Sequence, residues 1–259
     1  VIRAAKAQAL LSGRDYVGGI AGITQANGEY HADISDSVAR GTVLGRHYVG
    51  GVAGASESGF AASYISRSQS SATVSASGNY AGGVAGRLAS GGYAAAALIS
   101  DSGASGSVSG SNYVGGVAGT VAGQYASVLG SAFTGAASSS ANAADGQVWL
   151  GGVVGYLAAG NLSNSYYNVG SVTLNGETVF TRGALYAEQF TRWQAAGRTL
   201  SIADELQQDD SGRYRITSLQ DWRRLLAWAD SSERFVLETD IDLAGDAGYA
   251  LSYFTASLD

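Results

Sequence analysis

The sequence predicts an all-β protein: a parallel β-solenoid with repeats of about 32 residues, followed by a small mixed α/β segment with two short helices. Three observations predict it. Nearly the same seven residues recur five times, as Tyr16-Val-Gly-Gly-Ile-Ala-Gly22, Tyr48–Gly54, Tyr80–Gly86, Tyr113–Gly119 and Trp149–Gly155, with starts 32, 32, 33 and 36 residues apart. A second half-repeat lies between them, running from an aliphatic residue through a small polar triplet to Ala/Gly alternation. It occupies Ile34–Val43, Ile65–Val74, Ile99–Val108, Leu129–Ala137 and Leu162–Val172, and can be laid over Ile2–Leu11. Finally, the units are poor helices. Each Gly costs ~1 kcal/mol in a helix interior, and the apolar positions do not recur at three and four.

Short strands bounded by Gly, Ser and Asn fit these units better. Val17 and Ile20 have opposite parity, as do Val49 with Val52 and Val114 with Val117, so both members face inward only if the chain bends between them. The Gly pairs Gly18/Gly19, Gly50/Gly51, Gly82/Gly83, Gly115/Gly116 and Gly151/Gly152 stand at that bend, as a bulge or corner, and are expected to stack as ladders from repeat to repeat. The expected solenoid is right-handed. A repeat makes one long coil or two short ones, for a rise of ~25 or ~50 Å at the ~4.8 Å strand spacing.

Composition divides the chain. Residues 1–175 carry seven Lys/Arg and seven Asp/Glu, whereas the last 84 carry eight Arg and fourteen Asp/Glu, and 32 of the 38 Gly precede residue 176. Repeats thus occupy 1–175, and 176–259 forms a helical spacer leading into a further β-solenoid block. In the spacer, Ala187–Ala196 reads as an amphipathic helix ended by Gly197. Thr217 or Ser218 can cap a second helix over Leu219–Ala229. Phe235–Leu243 then alternates as a strand, and Trp193, Trp222 and Trp228 are expected to pack on the rod. Both ends of the chain read as cuts through a longer solenoid.

The absence of Cys excludes disulfides and thiolate metal sites, and suits export in an unfolded state. A net charge of −6 without a basic patch argues against nucleic acid. No apolar run approaches the ~18 residues of a membrane span.

The repeats resemble the GLUG-motif repeats of bacterial surface proteins, through the YVGGVAG unit followed by I-S-x-S-x-A-x-G-x-V. The stretch Ser165-Tyr-Tyr-Asn168, Gly183-Ala-Leu-Tyr186, Gln189-Phe190, Trp193, Ile216–Trp222 and Asp240-Ile-Asp-Leu243 is similar to segments that link repeat blocks in filamentous-haemagglutinin-like exoproteins. The resemblance implies export, with two-partner secretion as the route, a β-helical stalk and adhesion at the bacterial surface. Related repeats also occur in IgA-specific metallopeptidases, but this chain has no HExxH motif.

Each candidate site has a competing structural reading. Tyr16, Tyr48, Tyr80, Tyr113 and Trp149 form either a register-setting stack or a flat sugar-binding strip. Repetition favours the stack, because a binding site needs a feature that other repeats lack. Ile34, Ile65, Ile99, Leu129 and Leu162 form the matching aliphatic ladder. Asp36, Arg67, Asp101, Ser131 and Asn164 fall at equivalent places, and the Arg and Ser interrupt any Ca²⁺-binding carboxylate row. Asp240 and Asp242 are spaced like two ligands, but a turn and solvent contact at a strand start account for both.

The two histidines, His31 and His47, lie in polar connections, with no base-orienting partner of the kind a triad requires. Glu29, Asp33 and Asp36 read as surface charge rather than as a hydrolytic acid pair. No Gly pair is followed by a phosphate-loop Lys-Ser/Thr. The expectation is a non-enzymatic stalk of a secreted adhesin, with no cofactor and no metal, meeting a glycan, matrix or cell surface. A self-assembling extracellular filament and a carbohydrate-binding or -hydrolysing module are the alternatives.

Overall fold

The computed structural model describes residues 1–141, 147–244 and 254–259. Its main body is a parallel β-solenoid of about five turns. Each repeat makes one coil, because residues one repeat apart are hydrogen-bonded neighbours: Ile34 pairs with Ile65 and Ile65 with Ile99, while Val49 pairs with Ala81 and Ala81 with Val114. Of the two possible rises, this selects ~25 Å for five repeats.

One coil shows the construction. Ala32–Ser35, Val38–Gly45, His47–Gly50 and Ala53–Ser58 lie on four successive faces, and each face stacks into its own parallel sheet, of six, eleven, five and five strands among the described residues. The long strand Val38–Gly45 splits in the next coil into Gln69–Ser70 and Thr73–Ala76. That division gives the second face its eleven members. Inward aliphatic residues from all four faces meet on the axis, with Val49, Val52, Val74, Val84, Leu88, Val117 and Val121 fully buried.

The Gly pairs occupy the corner between the third and fourth faces. Val49 and Val52 are both buried although three apart, so the chain does turn between them. The two members of each pair play different parts. Gly18, Gly50, Gly82, Gly115 and Gly151 each end a third-face strand and pair with one another in register. Gly19, Gly51, Gly83, Gly116 and Gly152 lie outside every strand and form the bend itself.

The bend still connects coils, since Gly19 N donates to Gly51 O at 3.1 Å and Gly83 N to Gly116 O at 3.1 Å, but at the last coil Gly152 N turns to the Thr181 hydroxyl at 2.9 Å. None of the ten has a positive φ, so close approach explains the residue type. A Cβ on Gly19, Gly51, Gly83 or Gly116 would run into the carbonyl oxygen of the equivalent Gly one coil on. The bend also receives the inward side chains of the second face, which are Ala39, Ser70, Ala104, Phe133 and Tyr167 in turn. Without side chains at Gly116 and Gly152, the Phe133 and Tyr167 rings fit against the corner.

Beyond the coils the chain builds an ordinary small core. Helix α1 (Ala187–Ala195) ends at Gly197, whose φ of +67° suits a residue without Cβ. Helix α2 (Leu219–Leu225) is capped by the Ser218 hydroxyl, which accepts from the Asp221 N–H at 3.2 Å, and a 3₁₀ turn over Leu226–Trp228 follows. Tyr214–Ile216, Arg234–Leu237 and Ser257–Leu258 form a three-stranded parallel sheet.

Three further expectations change here. The strand read over Phe235–Leu243 stops at Leu237, and Asp242 accepts the Ala244 N–H at 2.8 Å in a turn. Trp193 packs on the rod, whereas Trp222 joins a separate cluster around Ile216, Leu225 and Phe235, with Trp228 between the two. The break in composition at 175 also does not coincide with the end of the solenoid, since Ala184–Leu185 still pairs with Tyr167 and Asn168. The stretch 245–253, which would continue the further block expected from Phe235 onward, lies outside the described residues.

Candidate functional site: ladders along the rod

The coil spacing turns each repeated residue into a ladder. Tyr16, Tyr48, Tyr80 and Tyr113 stack face to face, with 4.7 Å between successive ring centroids and interplanar angles of 7°, 3° and 13°. All four have positive φ, between 55° and 71°: Tyr16 and Tyr48 bulge from their strands while Asp15 pairs with His47 and Val17 with Val49, and Tyr80 and Tyr113 stand immediately before theirs. A left-handed conformation costs a bulky residue ~1–2 kcal/mol, and each stacked pair contributes ~0.5–1.5 kcal/mol. The two terms nearly cancel, so the stack fixes register more than it adds stability.

Ring faces within the stack are covered by their neighbours, leaving edges and hydroxyls toward solvent. Burial, then the adjacent Tyr48 and Tyr113, push the Tyr80 phenol above its ordinary value. Trp149 does not continue the stack. Tyr156 inserts instead, 5.6 Å from Tyr113 and 4.2 Å from Trp149, both at tilted angles.

A serine ladder inside the coils escaped sequence analysis. Ser37, Ser68, Ser102, Ser131 and Ser165 are at most 1% exposed. Each hydroxyl accepts a backbone N–H from the preceding coil, from Ala5, Ser37, Ser68, Ser102 and Ser131 in turn, at 3.0–3.3 Å. Each also donates to the carbonyl two residues before it. A buried polar group has to be satisfied, and here one hydroxyl satisfies itself and a neighbouring backbone donor. Serine's abundance elsewhere hid the pattern; the recurring second Ser of I-S-x-S was the available signal.

The fourth coil needs one register correction. Val128, not Leu129, pairs with Ile99 and Leu162, and Leu129 points outward and is exposed. The aliphatic ladder is therefore Ile2, Ile34, Ile65, Ile99, Val128 and Leu162. The same shift places Gly130, φ +59°, beside Asp36, Arg67, Asp101 and Asn164, which all have positive φ, and returns Ser131 to the serine ladder. Spacing carried the clue, because Val128–Ala137 has the ten-residue length of Ile34–Val43 and Leu129–Ala137 does not.

On that outer corner, Arg67 donates to both Asp36 oxygens at 2.7 and 2.9 Å, and this holds the Asp36 carboxyl below the usual carboxylate range. Asn164 instead receives the Trp193 indole N–H at 2.8 Å, and Arg198 donates to the Gly130 carbonyl at 2.6 Å. The C-terminal segment thus docks onto the corner ladder.

His31 and His47 take equivalent roles, their Nδ1 atoms accepting from Ala62 N at 3.2 Å and Asn79 N at 3.0 Å on the following coil. Among the described residues, no three His, Asp or Glu side chains converge as a metal site, and no helix is long and apolar enough to cross a membrane. A cleft of about 550 Å³ opens where the tyrosine ladder ends, between Trp149, Tyr156, Leu162 and the Val179–Arg182 stretch. The Val179–Thr181 wall of that cleft is pinned by Tyr167, whose hydroxyl donates to Val179 O and accepts from Thr181 N, both at 2.8 Å.

No protein-family profile matches the chain, and no curated protein matches it. A solved structure is similar: a crystal structure described as a putative immunoglobulin A1 protease from Bacteroides ovatus. The two are 21% identical, with a TM-score of 0.53 over 82% of this chain and 74% of that one. At that identity the likeness is one of fold.

Proposed function

We propose that this chain is a rigid section of the stalk of a large, secreted bacterial surface exoprotein of the adhesin type, related to the GLUG-repeat proteins. The observation that carries the proposal is the allocation of its distinctive side chains. The stacked tyrosines, buried serines and corner glycines all serve to hold one coil to the next. His31 and His47, the residues best suited to general base catalysis, are engaged in the same way. A continuous ladder resists bending, because every backbone bond along the axis is repeated on four faces. The Bacteroides neighbour bears a protease description, and what it shares with this chain is a likeness of fold.

Electron microscopy of the native, full-length protein at its source tests the proposal. Isolated rods standing off the cell from one attached end are expected. Continuous fibres with a regular axial repeat would overturn the stalk in favour of a self-assembling filament.

A further inference from the structure

Four successive coils each carry a large exposed aromatic ring at one corner of the rod, where the fourth face hands over to the first. The rings are Tyr30, Phe60, Tyr93 and Tyr125, at 85%, 62%, 64% and 38% exposure. None belongs to the Tyr16–Tyr113 stack. The corner segments 27–31, 59–62, 91–96 and 123–125 differ in length and sequence, unlike the ladders that hold the coils. They are nevertheless tied to their neighbours: Ala62 N donates to His31 Nδ1 at 3.2 Å, Gly59 N to Ala26 O at 2.9 Å, Gly91 N to Ser58 O at 2.8 Å and Tyr125 N to the Ser90 hydroxyl at 3.1 Å. Phe60 and Tyr93 overlap at 4.1 Å and 28°. A row of apolar rings held in water on anchored loops is a recognition feature rather than a by-product of packing.

We propose that this row binds a linear, uncharged polysaccharide, whose sugar rings lay their C–H faces on the aromatic faces. The proposal rests on the surface-adhesin reading and names its ligand class. Three observations select that occupant. The row is one ring wide, and at ~150–250 Å² per buried ring its exposed part offers on the order of 500 Å², short of the ~800 Å² a side that a stable protein interface needs. Charge does not favour a polyanion: the coils carry seven Lys/Arg against seven Asp/Glu, and Arg87, on the strand entering the Tyr93 corner, is held by Glu57 at 2.8 Å. Proline-rich peptides dock in slots between rings, and the overlap of Phe60 with Tyr93 closes that slot. A narrow, neutral chain with flat apolar faces is what remains.

The test is native affinity electrophoresis of the full chain through gels containing hydroxyethylcellulose, galactomannan, xylan or laminarin. Retardation by at least one is expected, with about tenfold weaker binding for the double variant Phe60→Ala/Tyr93→Ala, since each lost stack is worth a few-fold. Tyr30→Ala, at the most exposed ring, gives a second reading should the double variant fail to fold. Leu129→Ala, an exposed apolar change on another face, should leave retardation unchanged. No retardation in any gel, equal retardation of wild type and both row variants, or binding only to dextran sulfate or a polyproline peptide would each overturn the proposal. The stalk reading is judged separately by the shape seen in the microscope, so rods that bind no glycan would refute the ligand and keep the stalk.

Discussion

The coils and the C-terminal segment solve the same problem in opposite ways. In the coils a residue is stabilised by copies of itself one repeat away, so Tyr48 stacks on Tyr16 and Tyr80, and Ser68 bonds Ser37 and Ser102 in the same geometry. In the segment after residue 186 every contact is unique. Arg192 forks onto Glu205 at 2.6 and 3.1 Å, Arg224 reaches the same carboxylate at 3.4 Å, and Trp193 meets Tyr166 edge-on at 5.1 Å. Repetition makes an error in one coil propagate to its neighbours, whereas unique packing confines the damage. That difference can be broken or sharpened experimentally.

The largest effect is expected from Gly82→Val with Gly83→Val. Two Cβ atoms would enter the corner at distances no side chain tolerates, and the facing sheet cannot yield without moving the coils on either side. The loss should exceed ~4 kcal/mol, seen as collapse of the β circular-dichroism signal and protease sensitivity across the coils. Retained protease resistance would show that the corner is plastic.

Trp193→Ala should cost ~3–5 kcal/mol but act locally. Limited proteolysis should cleave within 186–244 while the coils survive intact, and simultaneous loss of both regions would mean that the segment is integral to the rod.

Alkaline titration separates the regions in another way. Burial, and secondarily Asp230, push the Tyr166 phenol up to about 12. Because the folded value lies above the unfolded value near 10, this contribution is complete below pH 10 and is lost as pH rises toward 12. It amounts to ~2–3 kcal/mol at one pKa unit per 1.36 kcal/mol. Tyr166→Phe should remove that alkaline step from the release of the C-terminal segment, as followed by tryptophan fluorescence. An unchanged profile would place the sensitivity elsewhere.

Ser102→Ala is expected to have the smallest effect, ~1–3 kcal/mol, because the Ser68 N–H loses its acceptor in a dry interior. Hydrogen exchange should quicken at Ser68 and in the adjoining coils. Exchange unchanged from wild type would mean that water enters to replace the hydroxyl.

Much of the architecture is legible in the chain because periodicity is a sequence property. The spacing of Tyr16, Tyr48, Tyr80 and Tyr113 predicts a stack, and Val49 with Val52 predicts a corner between them. Which Gly of each pair ends the strand and which makes the bend is not legible, since Gly50 and Gly51 look alike until the facing sheet is in place. The register of the fourth coil is only faintly legible, since Val128 and Leu129 are both aliphatic and only the ten-residue length separates them. Trp149 shares a sequence position with the tyrosines yet leaves the stack, because Tyr156 reaches the same space from the next face. The exposed row at Tyr30, Phe60, Tyr93 and Tyr125 recurs at 30, 33 and 32 residues, close to the coil period, but its corner segments differ in length, so the rings do not fall at matching distances from the strands that follow them.

What the sequence alone determined is the repeat and with it the parallel, stacked class of fold, since a 32-residue period allows each coil to bury its apolar face only against a copy. Tertiary structure decided one coil per repeat, the inward turn of the serine ladder, the outward turn of Leu129 and the exposure of Tyr30, Phe60, Tyr93 and Tyr125 at one corner, where Phe60 and Tyr93 overlap. The physical reason is that periodicity specifies which residues are equivalent. Which way an equivalent set points, and what it meets across the rod, depends on corner geometry that no single repeat encodes.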